Sequence, residues 1–393
     1  MRTVRALIAL AVVAVGLGCG NSTGSPGVAT LDVSLNPISL VPMDSVQISV
    51  TPLDGAGHLV VGVSVTFSST DTTVVTVSVA GVVRSQGPAG SATVTVSGGG
   101  VVTLVPVTVF APLPLSGGPL GIAVSGNVAY VSRDGAAKLQ HLNLVNSQFT
   151  DSVSVGSVPC YLVFNAAGTK AYVANQFSHS VSVIDVATDT QTRAIPVTGD
   201  PLPVAISGDG NTLFVTTNAN RLYKIALAND SVVDSLALPA TSHHLLMHPN
   251  DTLLYVATRD AGTVLEVNWR AMTVARTFTL GGRTQGMAIS LDRQELYVAD
   301  EGGAKLHIVT LATGNSPTPI TLAGGGEGLA LSADGTRLYV GLVFDGKVQV
   351  INRAARTIVQ TMTTGGVPRE IAVDATRSRV LVANESGWVN VLR

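Results

Sequence analysis

The chain is written in short runs of aliphatic and β-branched residues, cut by Gly, Pro, Asp, Asn and Ser. From about Val28 to Val109 the runs alternate apolar with polar: TLDVSL, SVQISVTPLDGAG, VGVSVTF, SSTDTTVVTVS, GVVRS, GSATVTVSGGG and VTLVPVTV. A period of two is the mark of strands with one face buried, and no helical period interrupts it. Residues 28–109 are therefore predicted to form a small β-sandwich.

From about Phe110 onward the pattern repeats itself. Copies of one motif read AYVSR from Ala129, AYVAN from Ala171, LFVTT from Leu213, LYVAT from Leu254, LYVAD from Leu296, LYVGL from Leu338 and VLVAN from Val380. Their second residues are Tyr130, Tyr172, Phe214, Tyr255, Tyr297, Tyr339 and Leu381, spaced by 42, 42, 41, 42, 42 and 42 residues. A fixed period in this range marks stacked copies of one supersecondary unit. Each copy holds an inner strand such as Val204 to Ser207, a Gly-Asp-Gly turn, the motif strand, a third strand such as Lys305 to Leu311 and a fourth such as Arg276 to Leu280. The two inner strands are almost continuously apolar, as expected where both faces are covered by neighbouring units. Four short strands per repeat make a propeller blade, so residues 110–393 are predicted to be a seven-bladed β-propeller.

The ends of the array are complementary. The last repeat stops at its third strand, Trp388 to Arg393, whereas PLPLSGG from Pro112 aligns with QTMTTGG from Gln360, the fourth strand of the preceding repeat. Residues 112–116 are expected to complete the last blade and remove the open edges of the array. The fold class is all-β: a seven-bladed propeller preceded by a small sandwich.

Charge and cysteine content narrow the function classes. Setting aside Arg2 and Arg5 leaves 21 basic and 25 acidic side chains, a net charge of about −4 with no basic cluster, which argues against a nucleic-acid partner. Residues 1–18 carry an export pattern: Arg2 and Arg5, an apolar run from Ala6 to Val15, and Gly16-Leu17-Gly18 just before Cys19. With one other cysteine in the chain, Cys160, no disulfide framework is available. Residues 19–27 form a Ser/Gly/Pro-containing tether.

Three resemblances follow from these residues. Residues 1–19 resemble a bacterial lipoprotein signal, with Gly16 where a leucine is usual; this implies lipidation at Cys19, attachment to a membrane through the lipid, and a cell-envelope location, periplasmic or at the cell surface. Gly20 in place of an acidic residue points to the outer membrane where the cell has one. Leu40 to Thr51, VSVTFSSTD from Val63, and GSATV from Gly90 resemble the bacterial Ig-like domain of group 2, with Phe67 where a tryptophan is common. Such domains are spacers or adhesion modules. The repeat consensus, best seen from Gly199 to Asn218 with Val181 to Asp185, resembles the YVTN family of β-propellers. Members of that family include secreted and surface-layer proteins, and neighbouring propeller families include lactonases and lyases, so the fold alone does not assign a reaction.

Candidate chemistry falls on one face. The two residues opening each inner strand include Cys160-Tyr161, His243-His244, Gln285-Gly286, Glu327-Gly328 and Arg369-Glu370; Arg133, Arg259 and Asp300 follow the second strands at the same end. These positions converge on the channel mouth, and we take Tyr161, His243, His244, Gln285, Glu327, Arg369, Glu370, Arg133, Arg259 and Asp300 as its candidate ligand-binding residues. Asn175, Asn218 and Asn384 read instead as strand-end turn formers. Adjacent histidines on a strand point to opposite sides, so one of His243 and His244 faces the channel. Cys160 reads as a small buried hydrophobe. No phosphate loop, GxSxG or metal-ligand spacing is present, and the reading assigns no cofactor and no metal. It favours a tethered binding or scaffold protein for a protein, peptide or glycan ligand. The alternative is an exported hydrolase or lyase, lactonase-like, working through His243 or His244 with Glu327 and Glu370.

Overall fold

The computed structural model describes residues 27 to 392 apart from 41, 43 and 88. The signal-like segment, Cys19 and nearly all of the tether lie outside the described residues.

The N-terminal region folds as alternation dictates. One sheet runs in the order Ile38–Leu40, Val101–Val109, Gly90–Gly98, Val65–Ser69; a second joins Ser45–Gln47, Val82–Ser85 and Val75–Val77; Thr30–Val33 pairs with Val50–Leu53. Gly90–Gly98 buries every second residue, so Ala92, Val94 and Val96 meet Val105, Val107, Ile38 and Leu40 in one apolar core. Phe67 is half-buried against that core.

The remainder is all-β and a seven-bladed propeller: seven four-stranded antiparallel sheets. We number the blades by their inner strands: Pro119–Ser125, Pro159–Phe164, Pro201–Ile206, Ser242–Met247, Thr284–Ile289, Gly326–Leu331 and Pro368–Asp374. The aromatic of the repeated motif is the wedge between blades. Tyr130 packs with Phe164 and Val173 of blade 2, Tyr172 with Val204 of blade 3, and Phe214 with Leu245 of blade 4. Tyr255, Tyr297 and Tyr339 continue the series into blades 5, 6 and 7. Leu381, the seventh copy, packs with Ile122 and Val131 of blade 1, so the ring is closed by the same contact that joins every other pair.

Blade 7 is built from both ends of the repeat region. Its strands Pro368–Asp374, Arg379–Asn384 and Trp388–Leu392 are followed in the sheet by Leu113–Pro114. Leu113 lies opposite Val389 and Pro114 opposite Trp388, and the Leu115 N–H donates to the Gly387 carbonyl at 2.9 Å. Leu115 is buried with Val389, Val391 and Leu142, between blades 7 and 1. On blade 6, the outer strand Thr357–Thr363 meets the N-terminal region: Val359 packs against the sandwich core, and the Thr363 N–H points to the Asp44 carboxylate at 3.4 Å.

Candidate ligand site at the channel mouth

The site is made by a backbone irregularity present in every blade. The first residue of each inner strand pairs with the last residue of the second strand, for example Pro159 with Asn175, Thr284 with Asp300 and Pro368 with Asn384. Immediately afterwards the register shifts in all seven blades. A β-bulge of this kind sets two residues against one and re-aims their side chains. The bulged residues are the opening pairs named from the sequence, and the pairing puts all of them at one end of the propeller.

The second bulge position forms the inner ring: Gly121, Tyr161, Pro203, His244, Gly286, Gly328 and Glu370. Three of the seven are glycine for a steric reason. A Cβ on Gly121 would run into the carbonyl oxygen of Cys160, one on Gly286 into that of Glu327, and one on Gly328 into that of Arg369. At those junctions neighbouring inner strands approach backbone to backbone. The four members that carry side chains, Tyr161, Pro203, His244 and Glu370, all line a cavity of about 350 Å³ along the channel. Every blade contributes to its wall, and below the ring the wall is apolar, with Ile122, Val163, Ile206, Met247, Met287 and Leu329.

The ring carries three titratable groups in poorly solvated positions. Burial pushes the Glu370 carboxyl up to about 8, with the Glu327 charge adding to the effect and the Ile371 amide opposing it. Burial also holds the His244 imidazole down at about 4. The Tyr161 phenol is raised well above its usual value, first by burial and then by Glu327 and Glu370. Burial thus favours the uncharged form of all three groups: a protonated carboxyl, a neutral imidazole and a phenol. The Nδ1 of His244 is buried without a hydrogen-bond partner among the described residues. His244 is thus the histidine that faces the channel, whereas His243, also pushed down to about 4 by burial, feels Arg259, Asp260, Glu301 and Arg283 at the rim.

The first bulge position points between blades. Cys160 is buried, with Sγ 3.4 Å from the Ala174 carbonyl, and burial lifts its thiol to about 12, which removes it as a thiolate nucleophile. Gln285 is buried and donates to Glu301 at 2.6 Å. Glu301 also takes both arms of Arg259, at 2.9 and 2.7 Å, and a contact from Arg283 at 3.2 Å. Arg369 bridges two carboxylates, Glu327 at 2.7 Å and Glu385 at 2.6 Å. Burial raises the Glu327 carboxyl while Arg369 draws it back down. An arc of paired charges thus runs over blades 4 to 7, outside an uncharged inner ring.

Two of the sequence candidates are occupied elsewhere. Asp300 is buried and accepts the backbone N–H of Arg283 and Gly303, each at 2.8 Å, so it holds a blade corner. Arg133 donates to the Ser116 carbonyl at 2.7 Å and to Gln140 at 3.2 Å. Two of the asparagines are turn formers: Asn384 accepts from the Val367 N–H at 2.9 Å and Asn218 from that of Asp200 at 2.9 Å, whereas Asn175 is buried and donates to Ser182 on the third strand at 2.8 Å. Sequence reasoning did not single out Arg283, and it placed Pro203 in an opening pair without counting it among the ligand-binding candidates. A glycine in three of seven equivalent positions, beside a bulkier residue in the other four, was the signal of the bulge. Among the described residues no group of three or more His, Cys, Asp or Glu side chains is placed to hold a metal ion.

No protein-family model matches the chain. It is 28% identical over 142 residues to the seven-bladed beta-propeller protein Rv1057 of Mycobacterium tuberculosis, covering 33% of this chain and 36% of that protein. It is 21% identical over 149 residues to antigen Lp49 of Leptospira interrogans, covering 36% and 33% respectively. The matches thus span about a third of each relative's length. Among solved structures, a chain of the Kuenenia stuttgartiensis hydrazine synthase superposes with a TM-score of 0.66 at 19% identity, covering 72% of this chain and 96% of that one. That likeness is one of fold.

Proposed function

We propose that the protein is a membrane-tethered extracytoplasmic binding protein that recognises its ligand at the bulged end of the propeller channel. The observation that carries this reading is the seven-fold bulge, which collects side chains from distant repeats around one cavity and leaves Tyr161, His244 and Glu370 facing it. Cys19 is the proposed lipid attachment point, and the N-terminal sandwich, read as an Ig-like spacer or adhesion module, holds the propeller away from the membrane. A relative named as an antigen is in keeping with display outside the cytoplasm.

The test is a pull-down from envelope extract with the chain from residue 27 onward, beside a Tyr161→Ala/His244→Ala variant. Specific enrichment of a protein or glycan that the variant loses is the expected result; enrichment equal in both would remove the mouth from the reading. For the anchor, Cys19→Ser should abolish fatty-acid labelling and release the protein from the membrane fraction.

A second reading is favoured by one observation. A neutral imidazole and a protonated carboxyl on the same cavity are groups whose proton affinities have been driven apart, the pattern used for acid–base chemistry. Lactone hydrolysis or lyase activity that disappears in both His244→Ala and Glu370→Ala would establish it in place of the binding role.

A further inference from the structure

The channel below the mouth has a chemistry of its own. Below the ring its wall is aliphatic and thioether, from Ile122, Val163, Ile206, Met247, Met287 and Leu329 of blades 1 to 6, and a volume of about 350 Å³ is at the small end of ligand sites. The polar side chains on the wall, Tyr161, His244 and Glu370, all sit at the bulged end. There, His244 Nδ1 is buried with no partner, and neither the Glu370 carboxyl nor the Tyr161 hydroxyl has a side-chain hydrogen-bond partner among the described residues. The nearby charges are already paired: Glu327 and Glu385 with Arg369, Glu301 with Arg259. The cavity therefore presents hydrogen-bonding groups with no side-chain partner, His244 Nδ1 with none at all, above apolar side chains, and no free counter-ion for a charged guest.

We propose that the channel binds a small uncharged amphiphile, with an aliphatic body against the apolar wall and a carboxamide or hydroxyl head between Tyr161, His244 and Glu370. This rests on the reading of the mouth as a binding site and names the chemical class that the deeper part of that site takes. A head that both donates and accepts matches a ring whose members can each do either. An ammonium or carboxylate head would enter a poorly solvated space without a partner, and burying an unpaired charge costs far more than burying a satisfied dipole. Glu327 and Tyr161, which interact with Glu370 from other blades, supply no positive charge, His244 on the same cavity is held toward its neutral form by burial, and Arg369 on the Glu370 strand is held by Glu327 and Glu385.

A matched series tests the idea: hexanamide, 1-hexanol, hexanoate and hexylammonium, titrated at pH 7 into residues 27–393, which carry every described strand, and followed by the methyl resonances of Met247 and Met287. The amide and the alcohol are expected to shift those resonances saturably, at least tenfold more tightly than either ion. Met247→Leu/Met287→Leu assigns the signals. Glu370→Gln, which keeps a neutral donor and acceptor, should retain amide binding and hold it to pH 9, whereas the parent loses affinity as the pH passes about 8, where Glu370 ionises. Tightest binding by hexylammonium would overturn the proposal, because it would mean an ionised Glu370. Failure of all four probes would overturn it too, and would leave the mouth reading intact if the pull-down still enriches a partner lost with Tyr161→Ala/His244→Ala.

Discussion

The Arg369 guanidinium of blade 7 lies 2.7 Å from the Glu327 carboxylate of blade 6, and its other arm lies 2.6 Å from Glu385. Glu327 is buried, so its charge is tolerated because this one arginine spans the junction. Removing one partner of a buried pair leaves an uncompensated charge, which costs about 3 kcal/mol or more. Arg369→Ala should lower stability by about that amount at pH 8, measured by urea unfolding, and by clearly less at pH 4, where Glu327 can take up a proton. Adding Glu327→Gln to Arg369→Ala should recover part of the loss. A single-variant cost below about 0.5 kcal/mol would place the pair with the weak surface ion pairs.

The same junction is sterically closed one residue further along. A side chain on Gly328 would meet the backbone carbonyl of Arg369, which cannot swing away as a side-chain end can. Gly328→Ala should cost about 2 kcal/mol or more, the range for overpacking a tight interior. Gly341→Ala is the control, since a Cβ there would have only ordinary contacts, the nearest at 3.5 Å. Equal melting temperatures for the two variants would show that the inner strands are not in backbone contact.

Glu370 makes the pH dependence of stability run against the usual carboxylate trend. Its carboxyl is raised from about 4.5 to about 8 by burial, so between those values the unfolded chain gives up a proton that the folded chain retains. Folding is then increasingly disfavoured as pH rises through that window, and the penalty is complete above pH 8. Glu370→Gln should therefore be the more stable protein at pH 8, by roughly 1–3 kcal/mol, and converge on the parent at pH 4. A gain of the same size at both pH values would have to come from packing.

The two histidines give the opposite slope. Burial holds both imidazoles down at about 4, against 6.5 when solvated, so their neutral form contributes stability that is intact above pH 6.5 and lost as pH falls toward 4. His244→Gln should flatten the acid side of the stability profile between pH 6.5 and 4 while leaving the Glu370 window in place. Guanidinium unfolding at half-unit pH steps separates the two. An unchanged acid limb would mean that His244 protonates freely in the folded protein.

The blade count was legible because the constraint it reflects is the same in every repeat. Each motif aromatic, from Tyr130 to Tyr339, has to fill the same gap against the next blade, and Leu381 fills it where the ring closes. The mouth was only half legible. Pairing at Pro159 and Pro368 fixes which end the opening residues occupy, and that follows from strand order alone. Which side chains turn inward depends on the bulge, a backbone feature with no residue preference beyond the glycines it forces at positions 121, 286 and 328. Asp300 and Arg133 looked like mouth residues because they end second strands, but strand ends are also where backbone N–H and C=O groups need partners, and both side chains serve that need.

Closure of the ring by residues from its other end predicts an asymmetric response to trimming. Leu113 and Pro114 cover the edge of Trp388–Leu392, and the buried Leu115 fills a core shared by blades 7 and 1. A chain starting at residue 111 keeps all of this; one starting at residue 117 exposes the edge and empties the Leu115 site. Loss of a buried leucine alone costs about 2–5 kcal/mol. For a chain of this size that is a drop in Tm of roughly 3–8 °C. Leu115→Asp in the longer chain should reproduce most of the drop without shortening the backbone. The exposed edge adds a second, separable effect: the shorter chain should self-associate with rising concentration, whereas Leu115→Asp, which keeps the strand, should do so less. Equal Tm values for the chains starting at 111 and 117 would mean that blade 7 is stable with three strands and that the pairing of Leu113 with Val389 is incidental to closure.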